Sequence, residues 1–215
     1  MSSIAAFVDG PLWYFSLTVF VVGVLWRLIG LVAMRGKNDI SRPRGSALGG
    51  GVHSVLSRFV PVAGVQSRIQ VRTVASYLFH IGLFLILIFA APHIEFYKTH
   101  LLGFGWAAMP RWLFVLVSAI SFLGLIVLWL HRIMYPVTRS VTSAADHIAS
   151  GLVFWVMLTG CMALGESSEF LRVLHLLMAE LLLLYFPFSS LMHAFYWHVS
   201  RAYTGAHYGR RGVKV

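Results

Sequence analysis

Five long apolar runs divide the chain, at about 11–34, 73–92, 111–131, 147–165 and 171–197, and charged side chains are nearly absent from them. At ~1.5 Å per helical residue, ~20 residues cross a hydrocarbon layer of ~30 Å. The pattern therefore predicts an all-α integral membrane protein: one membrane domain over 1–215, with five transmembrane helices. The first and second runs are joined by a basic stretch at 35–72, too long for a simple connection. Within it, SRPRGSALGGG reads as irregular chain with its glycines as a hinge. Those glycines follow no strand, which argues against a phosphate cradle. The next piece, VHSVLSRFVPVAGVQSRIQVR, mixes apolar and basic residues. That mixture suits a helix lying on the cytoplasmic membrane surface or docking a partner; the plain alternative is a solvated loop that only sets topology. There is no internal repeat and no HExxH motif.

Composition supports the membrane reading. The chain is 59% hydrophobic and 11% charged, with mean hydropathy +0.80, which excludes an ordinary soluble domain. The net charge of +10 raises the question of nucleic acid, but its distribution answers it. Of the 17 basic residues, 14 fall on one side of the five spans: Arg27, Arg35, Lys37, Arg42, Arg44, Arg58, Arg68, Arg72, Arg132, Arg139, Arg201, Arg210, Arg211 and Lys214. Only Lys98, Arg111 and Arg172 fall on the other. Cytoplasmic loops collect Lys and Arg, so the N-terminus is expected outside and the C-terminus in the cytoplasm. The expected location is a bacterial-type inner (cytoplasmic) membrane, crossed several times. Residues 1–10 hold no Lys or Arg, so the first run reads as an uncleaved span rather than a secretory signal. The single cysteine, Cys161, excludes an internal disulfide framework, a Cys-ligated iron–sulfur cluster and a covalent CxxCH haem; it reads as a packing residue.

The chemistry lies in the histidines. His175 and His193 are 18 residues apart in the fifth run. At ~100° per residue they face the same way on an unbroken helix, roughly 27 Å apart. One histidine near each membrane face, on one side of one helix, is the arrangement that holds two b haems, one per leaflet. The second run supplies partners by depth. It runs inside to outside with His80 early and His93 at its outer end, antiparallel to the fifth. His80 is then expected to pair with His193 on one iron, and His93 with His175 on the other. Gly82, Ala90, Ala91 and Ala179 are small enough to let porphyrin faces approach the backbone. The remaining histidines read as structural. His53, His131 and His207 are expected at the cytoplasmic surface and His198 at the membrane surface. His147 is expected as an interface residue whose N–H Asp146 accepts.

The pieces YLFHIGLF (77–84), YPVTRSVTSAADHI (135–148) and LHLLMAELLLLYFPFSSLMHAF (174–195) resemble the membrane gamma subunit of respiratory nitrate reductase. They also resemble the membrane cytochrome b subunits that pair with heterodisulfide-reductase-like iron–sulfur proteins, and the ending YTGAHYGRRGVKV (203–215) is similar to the latter group. The resemblance covers spans two to five. It implies two haem b groups, quinol or quinone exchange near the outer haem, and electron transfer with a cytoplasmic iron–sulfur subunit. The chain would then be the electron-transfer subunit of a respiratory quinol/quinone oxidoreductase complex, not its terminal catalytic subunit. His80, His175 and His193 fall on that family's ligand positions. The fourth family position, ten residues after His80, is Ala90 here. His93 is the nearest replacement, with Pro92 before it to redirect the chain, and His100 is the alternative. Pro187 lies between His175 and His193 and is expected to kink span five.

Glu180 lies inside span five, where an ionisable side chain is either paired or functional; the functional reading is a proton-handling residue. Glu95, Tyr97, Lys98 and His100 cluster just after span two, with Glu166, Glu169 and Arg172 at the start of span five. Such groups suit the protons of quinol oxidation, or an ordinary wet loop. Trp13, Trp106, Trp112, Tyr196 and Trp197 fall where an aromatic belt belongs. A rival from another class is a non-catalytic anchor that recruits an iron–sulfur subunit with one or no functional haem. A transporter is disfavoured, because its spans do not need histidines paired by depth. The charge asymmetry sets the first test. A reporter active only in the cytoplasm should give signal when fused after Val215 and none when fused before Met1; the reverse pattern would invert the topology.

Overall fold

A computed structural model of the chain describes residues 3–33, 40–61, 63–165 and 168–213, with only the backbone described over 63–68. Arg35, Lys37, Glu166 and Lys214 lie outside the described residues, as does the side chain of Arg68. Among the described residues the secondary structure is all helical: α1 (Ser3–Phe7), a π turn (Val8–Leu12), α2 (Trp13–Ala33), α3 (Ala47–Ser57), α4 (Ala63–Phe89), α5 (Ala91–Tyr97), a second π turn (Lys98–Leu102), α6 (Arg111–Met134), α7 (Pro136–Ser140), α8 (Ala144–Ala163), α9 (Glu169–Tyr185), two 3-10 turns (Phe186–Phe188, Ser190–Met192) and α10 (His193–Arg210). Five stretches are long and apolar enough to cross a membrane: Ser3–Ala33, Ile69–Phe89, Arg111–Met134, Ala144–Ala163 and Glu169–Phe188. Side chains such as Val22, Leu25, Trp26 and Ile29 stand exposed along α2, as lipid-facing residues do. The fold is thus that of a multi-pass helical membrane protein.

Two half-bundles make up its interior. In one, α4 packs along α6, and Phe79, Ile86, Phe114 and Leu125 form a core that reaches Val153 and Met157 on α8. In the other, α9 packs against α2 and α8, with Ala5, Val8 and Val173 buried at one end. Small residues set the spacing, as is common where lipid supplies no hydrophobic drive for helices to associate. A Cβ added at Gly124 would fall 2.7 Å from the Ala75 carbonyl, and one at Gly82 would fall 2.7 Å from Ser121 Cβ. Ser121 also donates to the Phe79 carbonyl at 3.0 Å. Gly82 therefore serves the α4–α6 contact. At the other end of the bundle, Arg132 pairs with Asp146 at 3.5 Å, and Tyr185 donates to the Ala145 carbonyl at 3.0 Å.

Three features refine or differ from the sequence expectations, the first being the expected kink at Pro187 carried further. Span five is not one helix. α9 gives way after Tyr185 to 3-10 turns around Pro187, and His193 begins α10. Pro187 is fully buried against Gly23 of α2, where an added Cβ would lie 2.6 Å from the proline ring. Span two breaks at Ala90, which is extended (φ −70°, ψ 132°), one residue earlier than the Pro92 rule places the break. The glycine-rich stretch 47–51 is helical rather than a hinge. Ser46 caps α3 by accepting from the Gly49 N–H at 3.0 Å, and α3 lies along α10 through facing glycines. A Cβ on Gly50 would meet Gly209 Cα at 2.7 Å, and one on Gly209 would meet the Ser46 carbonyl at 2.7 Å. Close backbone approach repays what glycine costs a helix.

That packing is testable. Gly50→Leu or Gly209→Leu should force α3 and α10 apart at about 1–3 kcal/mol, seen as a lower thermal midpoint and faster proteolysis of α10. Gly30→Ala, with nothing within 4 Å of the added methyl, should leave the midpoint unchanged.

Candidate functional site

The four histidines singled out by depth come together in two pairs. His80 on α4 and His193 at the start of α10 have ring centroids 6.1 Å apart and planes at 81°. His93 on α5 and His175 on α9 have centroids 6.1 Å apart and planes at 25°. The pairs lie at two levels between α4–α5 on one side and α9–α10 on the other, where α4 and α9 do not pack along one another.

Local chain geometry aims each ring. The end of α4 leaves its last carbonyls without helical partners, and nearby groups take them up. Leu87 O accepts from His93 Nδ1 (3.0 Å) and from the Tyr97 hydroxyl (3.1 Å). Ile88 O accepts from Trp106 Nε1 (3.0 Å), and Phe89 O from the Met109 N–H (2.9 Å). The break at Ala90 thus turns His93 back over the helix that it leaves. His193 Nδ1 lies 2.7 Å from the Ser190 carbonyl, and His80 Nδ1 lies 2.7 Å from the Ser76 carbonyl. His175 Nδ1 lies 3.3 Å from Thr159 Oγ1, whose hydroxyl donates to the Trp155 carbonyl at 2.8 Å. Gly160 makes room for that ring, since a Cβ there would fall 2.9 Å from His175 Cε1.

These partners fix the tautomers. A carbonyl only accepts, so Nδ1 of His80, His93 and His193 carries the hydrogen. Because the Thr159 hydrogen is directed elsewhere, its oxygen accepts from His175 Nδ1 as well. Each neutral ring is left with the Nε2 lone pair as a ligand. His93 lies just past the end of span two, and burial pushes its imidazole below the usual range, towards this neutral form.

The spacing can be tested against a metal. Two imidazoles bound through nitrogen at ~2.0 Å on opposite sides of one ion have ring centroids about 6.3 Å apart. Both observed pairs are at 6.1 Å. Among the described residues no cluster of three or more His, Cys, Asp or Glu forms. Each pair offers two nitrogens, which could serve only a metal that brings its remaining ligands with it.

The other expected site residues do not converge on the pairs. Glu95 and Lys98 form an exposed ion pair at 3.5 Å, and His100 lies against Phe96 with centroids 4.9 Å apart. Glu180 is buried in span five away from any histidine partner. Tyr97 stacks on Trp106 at 5.8 Å, and burial pushes its phenol above the usual range. Of the remaining histidines, His147 is the one whose expected partner differs. Asp146 closes a capping box with Ser143, while His147 Nδ1 accepts from Trp129 Nε1 at 3.1 Å. Sequence reading missed Ser76, Thr159, Gly160 and Ser190. Only Ser76 and Ser190, one helical turn before a histidine, carry a signal visible in the chain itself.

No family model matches the chain. A protein of Nitratidesulfovibrio vulgaris (strain Hildenborough), described simply as "Protein", is 30% identical over 216 residues, covering 96% of this chain and 95% of that one. The likeness therefore extends over the five spans and the α3–α10 pair.

Proposed function

This chain belongs to the same family as that Nitratidesulfovibrio vulgaris protein; from the geometry of its histidines we propose that it is a dihaem b membrane subunit, exchanging electrons between the quinone pool and a cytoplasmic iron–sulfur partner of a respiratory oxidoreductase complex. One observation carries the proposal: two imidazole pairs, each at 6.1 Å with Nδ1 tied off, stand at the two ends of one bundle. Its resemblance to the gamma subunit of nitrate reductase and to the related cytochrome b subunits supports the same reading. Bound there, two b haems would supply one-electron transfer across the membrane.

In this reading the protein's own part is positional. The Ser76, Ser190 and Leu87 carbonyls and the Thr159 hydroxyl hold each ligand in one tautomer and orientation, as second-layer partners do at metal sites. With the N-terminus outside, the His93–His175 pair is the outer one. The Glu95–Lys98 pair and His100 then stand near the aqueous edge, where quinol oxidation releases protons. Arg42, Arg44, Arg58 and Arg201 lie on or beside the α3–α10 pair, on the cytoplasmic side in this reading, and residues 40–61 and 193–213 contain no acid. That surface suits an acidic face of the iron–sulfur partner.

One observation favours the rival reading of a non-catalytic anchor. Ala90, where the resemblance expects a histidine, is buried in the apolar core. The rival requires that His93 not replace that ligand. A pyridine haemochrome assay on the purified chain with its partners separates the two: two haems b per chain are expected, while one or none supports the anchor. His193→Ala should remove one haem, and His93→Ala or Gly160→Val the other. If His193→Ala keeps both, the pairing is wrong. The near-perpendicular and near-parallel ring planes should also give two low-spin ferric resonance signals of unequal anisotropy.

A further inference from the structure

α9 carries a polar group that neither histidine pair uses. Glu180 is 2% exposed, and neither carboxylate oxygen has a hydrogen-bond partner. On α2, Ser16 is 0% exposed and its hydroxyl also lacks a partner. α2 and α9 run in the same direction, and contacts at both ends give their register. At one end Arg172 holds Asp9 through two bonds of 2.8 Å, and Val8 packs with Val173. At the other, Phe20 meets Phe186 at 5.3 Å and Gly23 backs onto Pro187. Interpolating between these contacts sets Ser16 at the depth of Glu180 and Leu181, so two unsatisfied groups share one level of one seam.

An ionised carboxylate alone in that setting is costly and gives way to the neutral acid. A neutral acid has a hydrogen to donate, and a serine hydroxyl can receive it directly or through one water. The way out of the seam is also marked. Asp9 lies seven residues before Ser16, ~10 Å along the same helical run. Arg172 lies two turns above Glu180 on the same helix, ~12 Å along its axis, and clamps Asp9 at the seam's end.

We propose that Glu180 is the terminus of a proton-binding site in the α2–α9 seam: a protonated acid linked to Ser16 through water, which exchanges its proton with the aqueous phase past the Asp9–Arg172 pair. The exchange is balanced, one proton entering at Asp9 for each that leaves Glu180. On the elements packed against α9, the other ionisable groups are Tyr14 and Arg27 on α2 and Asp146, His147 and Cys161 on α8. Tyr14 and Arg27 are exposed, and Asp146 and His147 lie at the opposite end of the bundle, paired with Arg132 and Trp129. Cys161 is beside Gly160, at the level of His175. Glu180 is itself five residues past His175, so its protonation state sets the field at that imidazole pair. Only this last consequence rests on reading the pairs as haem ligands.

Infrared spectroscopy of the full-length protein in lipid tests the site. A protonated-carboxyl C=O band should be present, shift in D2O, and vanish in Glu180→Gln. Glu180→Asp, which keeps the acid on a shorter stem, should retain a displaced band and guards against a folding failure of the glutamine variant. Asp9→Asn should leave the band in place and slow its shift in D2O by about tenfold, the scale of one charge-assisted hydrogen bond. Survival of every such band in Glu180→Gln, or an unchanged exchange rate in Asp9→Asn, overturns the proposal. In haem-loaded protein, one midpoint potential should depend on pH in the native chain and not in Glu180→Gln. Absence of haem from both would count against the histidine reading and leave the infrared result standing.

Discussion

A neutral imidazole in hydrocarbon has one hydrogen to give and one lone pair to place, and no water to take either. Most of the bundle's geometry near the histidines answers the first half of that demand. Ser76, Leu87 and Ser190 offer carbonyls, and Thr159 offers an oxygen whose own hydrogen is committed to Trp155. Each ring keeps its Nε2 lone pair, and α4 and α9 pack mainly on other partners rather than along one another. Small residues complete the arrangement. Gly124 and Ser121 draw α6 onto α4, and Gly160 sets α8 back from the His175 ring.

Two interruptions of the helical backbone place rings that regular helices would misplace. On a continuous helix His93 would point about 140° away from His80. The extended Ala90 cancels that rotation and frees the carbonyl that His93 binds. In span five the turns at 186–192 move His193 onto a new helix while keeping it opposite His80. Both breaks are stabilised where they occur: the first by Trp106 and Met109 on the exposed carbonyls, the second by burial of Pro187 against Gly23.

Much of this was readable from the chain. Span positions follow from apolar run length, and the two histidine pairings follow from depth alone, because antiparallel helices match residues by distance from the membrane face. Pro92 and Pro187 announced the two breaks. Their consequences were not readable, since whether a break spoils or rescues a facing depends on which carbonyls find new donors. The helix at 47–51 is masked in the sequence because glycine weakens an isolated helix by ~1 kcal/mol per residue. Its counterpart was in view: Gly205 and Gly209 are spaced as in a GxxxG seam, a sign of close helix packing. Thr159 and Gly160 lie a full connection away from His175 and gave no local sign of meeting it.

The break in span five also separates two kinds of mechanical neighbourhood. His175 is embedded in a helix flanked by α2 and α8, whereas His193 is the first residue of a helix whose far half is gripped by α3 through glycine backbone. One end of α10 carries an imidazole, the other lies against α3 beside Arg44 and Arg58, and the buried Pro187 precedes it. The two histidine pairs therefore differ in support: one ring is fixed within the packed spans, the other through a helix that also carries a surface contact.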